Sequence, residues 1–515
     1  MKRILYTTIM LALGAAVQAQ SAYDAQNMAN TDLNGTARYV GMGGALGALG
    51  ADLSAMSNNP AGTGLYRRSD ASFSFGGLFT GNDGAMGHDR SRASIDQAGV
   101  LFVLGGDQRV LRNVNFGVNY QKRRNFLSNF GGAIDLKGGS QTFQLAEMGT
   151  DAYYDNNAFG HLADLTSPNY HSDGEYPGVF VSNYDAYTQG TAAEFQYYGL
   201  PAQRADYQRA TYGSNSQIDF NLSFNLSDRF FAGLSVGVHT MNYDREALYS
   251  ETTEYCSYNL RNRYHFSADG VDVKLGFIFR PIEDSPFRIG LTAHTPVWYR
   301  LRDYNSVSLD MTYASDGLRL TPNSITSDEY EYNMRTPWKF GVSLGHTVGN
   351  YLALGLEYEF SDMASCKYYY SKGYASDFDP MNRNIKENLK GQHTIKVGIE
   401  GKPADGLSVR AGYNFISSPF KQDAYNHLGY DSSFTETDFT NWKDTHRITI
   451  GVGYRYKGGY IDLAYQYQMQ KGDFYAYDYD ADFSRYSLNG NDGAPTAISI
   501  SNNRSQVLAT LGFKF

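Results

Sequence analysis

Two serine motifs are the first candidates for chemistry in this sequence. The pattern Gly-x-Ser-x-Gly, which carries the nucleophile of many hydrolases, occurs around Ser235 and around Ser343. In a hydrolase that serine lies on a sharp turn between a strand and a helix. Here each serine alternates with apolar neighbours, which places it in mid-strand with its side chain on the polar face. We therefore predict that neither serine is catalytic and that the protein is not an enzyme.

Metal and cofactor chemistry has equally little support. Asp478, Asp480 and Asp482 alternate, but the glycine and glutamate of a calcium-binding loop are missing at the required spacing, which favours a solvated acidic loop. The histidines show no metal-ligand spacing. Gly41 and Gly43 superficially resemble a dinucleotide loop, yet no βαβ unit surrounds them. We expect no metal and no cofactor.

The two cysteines leave two possibilities open. Cys256 and Cys366 are too few for a disulfide framework or a cysteine-rich metal site. Each follows a predicted strand, the fifth and the ninth, so both are expected on extracellular loops. In an oxidising compartment they could form one disulfide, and two unpaired thiols are the alternative.

The elements that carry these residues are strands. From about Ser69 onward, segments of roughly ten residues alternate apolar with polar or small side chains, as in Ile218 to Leu226. The connections after even-numbered segments are tight turns, and those after odd-numbered ones are long and polar, the longest from Leu127 to Tyr212. This asymmetry is typical of outer-membrane barrels, with the short turns in the periplasm. The fourteen segments start near Ser69, Ser94, Val114, Ser216, Arg229, Ala268, Phe287, Asn333, Tyr351, His393, Leu407, His446, Tyr460 and Arg504.

The fold class predicted is therefore all-β, a transmembrane antiparallel up-and-down β-barrel of about 14 strands over residues 69–515 with long extracellular loops. The mean hydropathy of −0.46 agrees, because barrel strands alternate and keep their average hydropathy low. The 43 Tyr and 30 Phe suit the aromatic girdles of such a barrel.

The first 19 residues predict export. Lys2 and Arg3 precede an apolar stretch, and Val17 to Ala19 form a small-x-small cleavage site. The apolar stretch is too short to span a bilayer, so we expect cleavage rather than anchoring. Removal of Lys2 and Arg3 changes the formal net charge from −9 to −11. No basic run suggests nucleic acid as a partner.

Residues 20–68 are not strand-like and predict a plug. Gly41 to Gly50 is too rich in glycine for a stable free helix, and a segment of small residues fits inside a lumen. The stretch Ala37 to Ala45, followed by Ala51 to Ala55 and by Asn59-Pro60-Ala61-Gly62, resembles the N-terminal hatch of FadL/TodX-type outer-membrane transporters. Met334 to Lys339, Gly412 to Phe415 and Ser418-Pro419 resemble the C-terminal half of that family.

The resemblance implies a function. Members of the family take up long-chain fatty acids or aromatic hydrocarbons. Extracellular loops capture the molecule, which passes into an apolar pocket and leaves through a lateral gap near a kink in the third strand, here about Val114 to Phe126. It implies passive uptake of hydrophobic compounds with lateral release into the membrane. The hatch residues that would gate it are Gly41, Gly43, Asp52, Asn59, Pro60, Ala61 and Gly62.

The expected partners are hydrophobic small molecules, outer-membrane lipids and lipopolysaccharide, with the chain acting as a monomer in the cell outer membrane of a Gram-negative bacterium. Val507 to Phe515 alternate up to a C-terminal aromatic residue, which resembles the signal read by the barrel-assembly machinery. Two alternatives stay open, a structural or adhesive surface barrel and a haem-binding outer-membrane receptor. The hatch favours the channel, because an adhesin does not need a plug.

Overall fold

The strands form one closed antiparallel barrel. The computed structural model describes residues 21–81, 89–105, 110–154, 161–166, 169–171, 174–176, 178–314, 323–327, 329–370, 378–426, 428, 435–478, 483–486 and 495–515. The wall strands are β1 Asp70–Thr80, β2 Ser91–Gly105, β3 Leu111–Asn125, β4 Ala202–Leu226, β5 Phe230–Thr253, β6 Cys256–Phe279, β7 Arg288–His294 with Trp298–Tyr313, β8 Tyr330–Arg335 with Lys339–Val348, β9 Leu352–Asp362, β10 Gly391–Ala404, β11 Leu407–Ile416, β12 Phe439–Tyr456, β13 Gly459–Tyr475 and β14 Arg504–Lys514.

Each wall strand pairs with its two neighbours in the sequence, and β1 pairs with β14 from Asp70↔Lys514 to Thr80↔Arg504, which closes the wall. This confirms the predicted up-and-down barrel of 14 strands. The predicted tight turns are also present. Between β4 and β5, Ser227 and Asp228 both have positive φ, and the Arg229 amide donates to the Leu226 carbonyl at 3.1 Å, which closes a tight turn.

The prediction that the longest loop extends from Leu127 to Tyr212 is wrong in part. β4, β5 and β6 have 25, 24 and 24 residues, whereas about 9–11 residues suffice to cross a bilayer. β4 begins at Ala202 and β6 at Cys256, well before the starts predicted near Ser216 and Ala268. The alternation there continues with polar residues outside, so hydropathy alone did not mark these extensions as strand.

The segment after β3 is also structured. Ser128–Asp135 pairs with the upper part of β4, and helices and short strands follow it. The remaining short strands within the described residues are Asn169–His171, Gly174–Tyr176, Val181–Ser182, Tyr197–Tyr198, Asn323–Thr326, Lys367–Tyr369 and Ile498–Ser501.

The outer face of the wall is apolar. Side chains that alternate outward along the strands are exposed, among them Phe220, Leu222, Leu234, Val236, Val271, Leu275, Leu291, Val342, Leu356, Val397, Ile448, Leu463 and Leu511. The inward positions between them are polar and buried, such as Asn221 and Ser235. This apolar exterior over a polar interior is the reverse of a soluble protein and defines a transmembrane barrel.

Helices are short and lie inside or above the barrel. They are α1 Ala22–Ala29, α2 Ala37–Gly41, α3 Ala55–Asn58, α4 Gln141–Tyr154, α5 His161–Thr166, α6 Tyr184–Thr188 and α7 Asp379–Asn388, with 3-10 turns at Pro60–Leu65, Met363–Ser365 and Phe483–Tyr486. None of the helices in the described part of the chain is both long and apolar enough to span a membrane. The segment from α1 to the Pro60–Leu65 turn is the hatch, and it is buried almost throughout.

Candidate functional site

The hatch is held in shape by a cluster of short polar side chains. Thr36 caps α2, where its hydroxyl accepts a hydrogen bond from the Tyr39 amide at 3.1 Å. The same hydroxyl donates to Asp52 at 2.8 Å, and Asp52 accepts from the Ser54 amide at 2.9 Å. Asp52, predicted from the resemblance, therefore joins the two ends of the glycine-rich segment.

Asn59 and Pro60 fix the next turn. The Asn59 side-chain amide donates to the Gly47 carbonyl at 2.7 Å, and its oxygen accepts from the Ala61 amide at 3.2 Å. Pro60 occupies the first position of the 3-10 turn, where its missing N–H leaves no bond unmade. Gly62 packs against Gly50, so a side chain at either position would collide with the other. Asn59 thus both caps and bridges backbone groups, as its residue type allows.

The glycine-rich run lies across a row of wall glycines. Gly345, Gly355, Gly398 and Gly412 are cross-strand partners on β8 to β11. A Cβ at Gly398 would lie 2.3 Å from the Met42 carbonyl oxygen, and one at Gly355 would lie 2.1 Å from that of Ala45. The hatch backbone therefore occupies the space that side chains fill elsewhere. We call this four-residue row the glycine trough.

Gly41 and Gly43 meet the same wall from the hatch side. A Cβ at Gly41 would lie 3.3 Å from the Gly451 Cα, and Gly43 has φ +63 with the β11 backbone within 3.1 Å of the position a Cβ would take. Both predicted residues are therefore required for close approach. Sequence reasoning missed their wall partners, because spacing along the chain does not show which strands the hatch crosses.

Charged side chains also tie the hatch to the wall. Arg38 of α2 pairs with Glu400 at 3.0 Å, and Glu400 pairs with Arg410 at 2.6 Å. On the other side of the trough Glu357 accepts from the Gly47 amide at 2.9 Å and binds Lys396 at 2.7 Å. The pairs Glu400–Arg410 and Glu357–Lys396 lie within the wall, and the hatch adds Arg38 and the Gly47 amide as further partners of these buried carboxylates.

Above the hatch lies a charged cavity of about 140 Å³ between α1 and the wall. Three arginines of the wall, Arg124, Arg447 and Arg504, line it together with Asp32 of the hatch. The Asp32 carboxylate lies 3.6 Å from Arg447 and 3.8 Å from Arg504, and it accepts from the Asn125 amide at 2.9 Å. Three guanidinium groups face one carboxylate, which leaves this part of the cavity cationic.

A second cluster of charges closes the cavity toward the extracellular side. Asp438 binds Arg209 at 2.9 Å and Arg245 at 2.8 Å, and Asp24 of α1 lines the same cavity. Glu436 lies 2.7 Å from Arg245, but neither of its carboxylate oxygens accepts a hydrogen bond. Burial raises the pKa of Glu436 from 4.5 to about 8.

Aromatic side chains fill the barrel around and above these charges. Phe126 packs edge-on against Tyr243 at 5.1 Å between ring centres, and Tyr243 stacks on Phe266 at 4.9 Å. The same buried cluster includes Tyr264, Tyr332, Tyr368, Phe378 and Phe474. The interior above the hatch therefore combines cations with an apolar aromatic wall.

The wall has a window between β2 and β3. The two strands pair only from Gln97↔Gln121 down to Gly105↔Asn113. Above that level 91–96 pairs with β1 alone, and 122–125 pairs with β4 alone. The Asn129 side-chain amide donates to the Asp89 carbonyl at 2.9 Å and bounds the window from above.

Irregular backbone produces the window. Asp96 is an extra residue in β2, since Ser74 faces Gln97 while Phe75 faces Ile95. β3 bulges at Arg123 and then breaks at 126–127, opposite Gly213, whose φ of +113 admits the kink. The resemblance implied a kink in the third strand, about Val114 to Phe126, and the irregular backbone lies at the end of that strand.

Polar residues surround a small space on the lumen side of the window. This space has a volume of about 20 Å³, and its lining residues are Asp32, Asn34, Asp96, Lys122, Asn125, Gln466, Gln468, Arg504 and Gln506, with Leu78. Asp32, Gln468 and Arg504 also line the charged cavity. The window and the cavity are therefore adjacent spaces with shared walls.

The other residues singled out from the sequence lie apart from this site. Ser235 and Ser343 are buried on mid-strand positions of β5 and β8, as predicted. Among the described residues no group of three or more His, Cys, Asp or Glu is placed to hold a metal ion. Asp478 is buried, whereas Asp480 and Asp482, like the predicted signal peptide, lie outside the described residues.

The cysteines differ from one expectation. Cys256 and Cys366 are both free and both buried, so the structure has two unpaired thiols and not the disulfide considered from the sequence. Cys256 is the first residue of β6 rather than part of a loop, because β5 and β6 extend far beyond the membrane. Cys366 directly follows the Met363–Ser365 turn after β9.

Comparisons with known proteins agree with this architecture. No family model matches the chain, and no curated protein matches it. A solved FadL homologue from Pseudomonas aeruginosa superposes with a TM-score of 0.52 at 13% identity, over 95% of this chain and all of that one. The toluene transporter TbuX of Ralstonia pickettii gives 0.49 at 13% identity, over 94% and 99%.

At this level of identity the similarity establishes the fold. The chain is a plugged 14-strand barrel, and its fold is that of the FadL-type structures.

Proposed function

We propose that the protein is an outer-membrane channel for the passive uptake of hydrophobic compounds, with lateral release into the membrane. The observation that carries this proposal is the window between β2 and β3 beside the lumen cavity. The hatch fills the barrel below the cavity and blocks a straight path to the periplasm. A ligand that reached the cavity would leave through the side of the wall, where an apolar molecule gains from entering lipid.

The lining favours one ligand class among those implied by the sequence. Arg124, Arg447 and Arg504 suit an acidic head, and the aromatic cluster suits an apolar tail. The space on the lumen side of the window is lined almost entirely by polar side chains, which would hydrate or bind such a head as it passed. Fatty acid-like compounds therefore fit this interior better than neutral hydrocarbons do.

Gating is proposed to rest on the hatch residues Gly41, Gly43, Asp52, Asn59, Pro60, Ala61 and Gly62. Their contacts set the shape of the hatch and its fit to the wall, and Ala61 packs against Phe231 and Ile278 of β5 and β6. The hatch shares Asp32 with both the cavity and the window, so a change in its position would alter both.

Export, assembly and surroundings complete the proposal. Residues 1–19 would be removed after export, and the monomeric barrel would sit among outer-membrane lipids and lipopolysaccharide. The assembly machinery would read β14 and Phe515, whose amide donates to the Ser69 carbonyl at 3.0 Å and whose ring lies 6.3 Å from that of Phe102. The apolar outer face needs such an environment.

Locking the window tests the proposed route. Asp96 and Lys122 line the same small space on opposite strands, so Asp96→Cys with Lys122→Cys can be bridged by an oxidant or a short bifunctional reagent. We expect bridging to lower uptake of a fluorescent long-chain fatty acid several-fold in cells, and reductant to restore it after oxidation. Lys122→Cys alone, treated identically, is the matched control.

Two outcomes would count against the proposal in different ways. Equal uptake before and after confirmed bridging would overturn lateral release. If wild-type cells took up no more than cells without the barrel, the channel itself would fail, and the adhesive surface barrel would replace it.

A further inference from the structure

An open apolar groove crosses the outer face of β8 to β11. Its volume is about 640 Å³, larger than that of the charged cavity inside the barrel. Its sides are apolar side chains that alternate outward on these strands. The lining residues are Phe287, Leu344, Gly345, His346, Leu354, Gly355, Leu356, Val397, Gly398, Ile399, Ala411, Gly412 and Tyr413.

The floor of the groove is the back of the glycine trough. Gly345, Gly355, Gly398 and Gly412 touch the hatch from inside and line the groove from outside. None of these four positions has a side chain of its own on either face of the wall. Leu354 and Leu356 flank Gly355 on opposite sides of the groove, and Ala411, beside Gly412, is the smallest outward side chain of the lining.

The position of the groove determines what can fill it. It lies within the lipid-facing apolar belt, and a water molecule there would need two to four polar partners that this lining does not provide. A volume of about 150 Å³ already accommodates a benzene ring, so the groove has room for a much longer hydrocarbon. His346 and Leu354 lie two residues from the ends of β8 and β9 at the tight turn, which places the groove on the periplasmic side.

We propose that this groove binds one acyl chain of a phospholipid from the periplasmic leaflet. On the flat belt a chain contacts the wall on one side, whereas in the groove it contacts floor and sides together. The gain is dispersion contact, since transfer from bulk lipid offers no hydrophobic driving force. The bound chain also supports the thin glycine wall opposite the hatch. This inference does not depend on what the barrel transports.

Lipid retention tests the inference. Folded wild-type protein, purified in a mild detergent, is analysed by native mass spectrometry for bound phospholipid. We expect one phospholipid per barrel in most of the population. Ala411→Phe places a ring in the groove and should lower that occupancy at least threefold. Ala293→Phe adds the same ring to the outer face of β7 outside the groove and should leave occupancy unchanged.

A second variant tests the inference independently in case Ala411→Phe does not fold. Leu356→Ala with Ile399→Ala shortens one side chain on each side of the groove without adding bulk, and it should also lower occupancy. Heat-modifiable migration on gels reports whether each variant is folded.

The inference is overturned if folded variants retain as much phospholipid as the wild type, or if Ala293→Phe loses as much as Ala411→Phe. A wild-type dimer that Ala411→Phe separates would also overturn it, because the occupant would then be a second copy of the chain.

Discussion

The periplasmic and extracellular halves of this barrel interior are packed in different ways. In the periplasmic half, hatch backbone lies directly against wall backbone along the glycine trough, and the hatch residues there are almost all buried. In the extracellular half, side chains meet side chains: arginines, carboxylates and aromatic rings surround a cavity and a window.

The difference separates two tasks. Along the trough the two backbones are in direct contact, and a methyl group added at Gly355 or Gly398 would collide with the hatch. Long side chains around a cavity can change rotamer and admit a ligand at small cost. The lower half is therefore suited to sealing the barrel, and the upper half to binding. Substitutions in each half should fail in different ways.

The largest effect is expected in the trough. Gly398→Leu would place a side chain where the Met42 carbonyl lies, so either the hatch must leave or the wall must bend. We expect the amount of folded barrel to fall at least several-fold, measured by heat-modifiable migration. Gly105→Leu on β2, where a Cβ meets nothing within 4 Å, is the control. If both variants fold like the wild type, the trough is not a tight contact.

An intermediate effect is expected in the charged cavity. Arg447→Gln with Arg504→Gln removes two of the three guanidinium groups that face Asp32 and leaves Arg124. The barrel should fold in normal amounts, while uptake of a fluorescent fatty acid falls several-fold and uptake of a neutral aromatic probe changes little. Arg300→Gln on the outer surface is the control. Equal losses for both probes would show that the cavity does not select for an acidic head.

A smaller effect is expected at the capping turn of the hatch. Asn59→Ala removes the bonds to Gly47 and Ala61, a loss of about 1–2 kcal/mol for a capping side chain. The wall should stay intact, because its hydrogen bonds lie between strands. Limited proteolysis from the periplasmic side should cut the hatch faster than in the wild type. Unchanged cleavage would mean that the trough alone holds the hatch, and Asn259→Ala on the extracellular sheet serves as control.

The smallest effect concerns pH. The folded protein holds a proton on Glu436 up to about pH 8, whereas the unfolded chain loses it near pH 4.5. The folded state therefore binds more protons between these values, and its stability should fall as pH rises through that window. In Glu436→Gln the midpoint of thermal unfolding should depend less on pH. Near pH 8 its pH-induced decrease should be a few degrees smaller than that of the wild type. A wild-type midpoint that rises with pH there would contradict the raised pKa.

Sequence patterning predicted the wall well. Alternation and the asymmetry of the connections gave the strand number, the tight turns and the inward position of Ser235 and Ser343, because a strand repeats every two residues whatever its neighbours are. The resemblance to the family predicted the hatch and singled out Asp52 and Asn59 within it. The starts of β4 and β6 were missed, since those extensions leave the membrane and exchange their apolar outer residues for polar ones.

What the chain determined by itself is thus local: the period of its strands, its turn residues and the small residues of its hatch. What only the tertiary structure decided is which residues meet. In the sequence Gly355 and Gly398 are only mid-strand glycines, and the structure shows that they contact Ala45 and Met42 of the hatch. Likewise, Arg124, Arg447 and Arg504 come from three separate strands and line one cavity. Closure of the barrel brings these positions together, and no spacing along the chain encodes that distance.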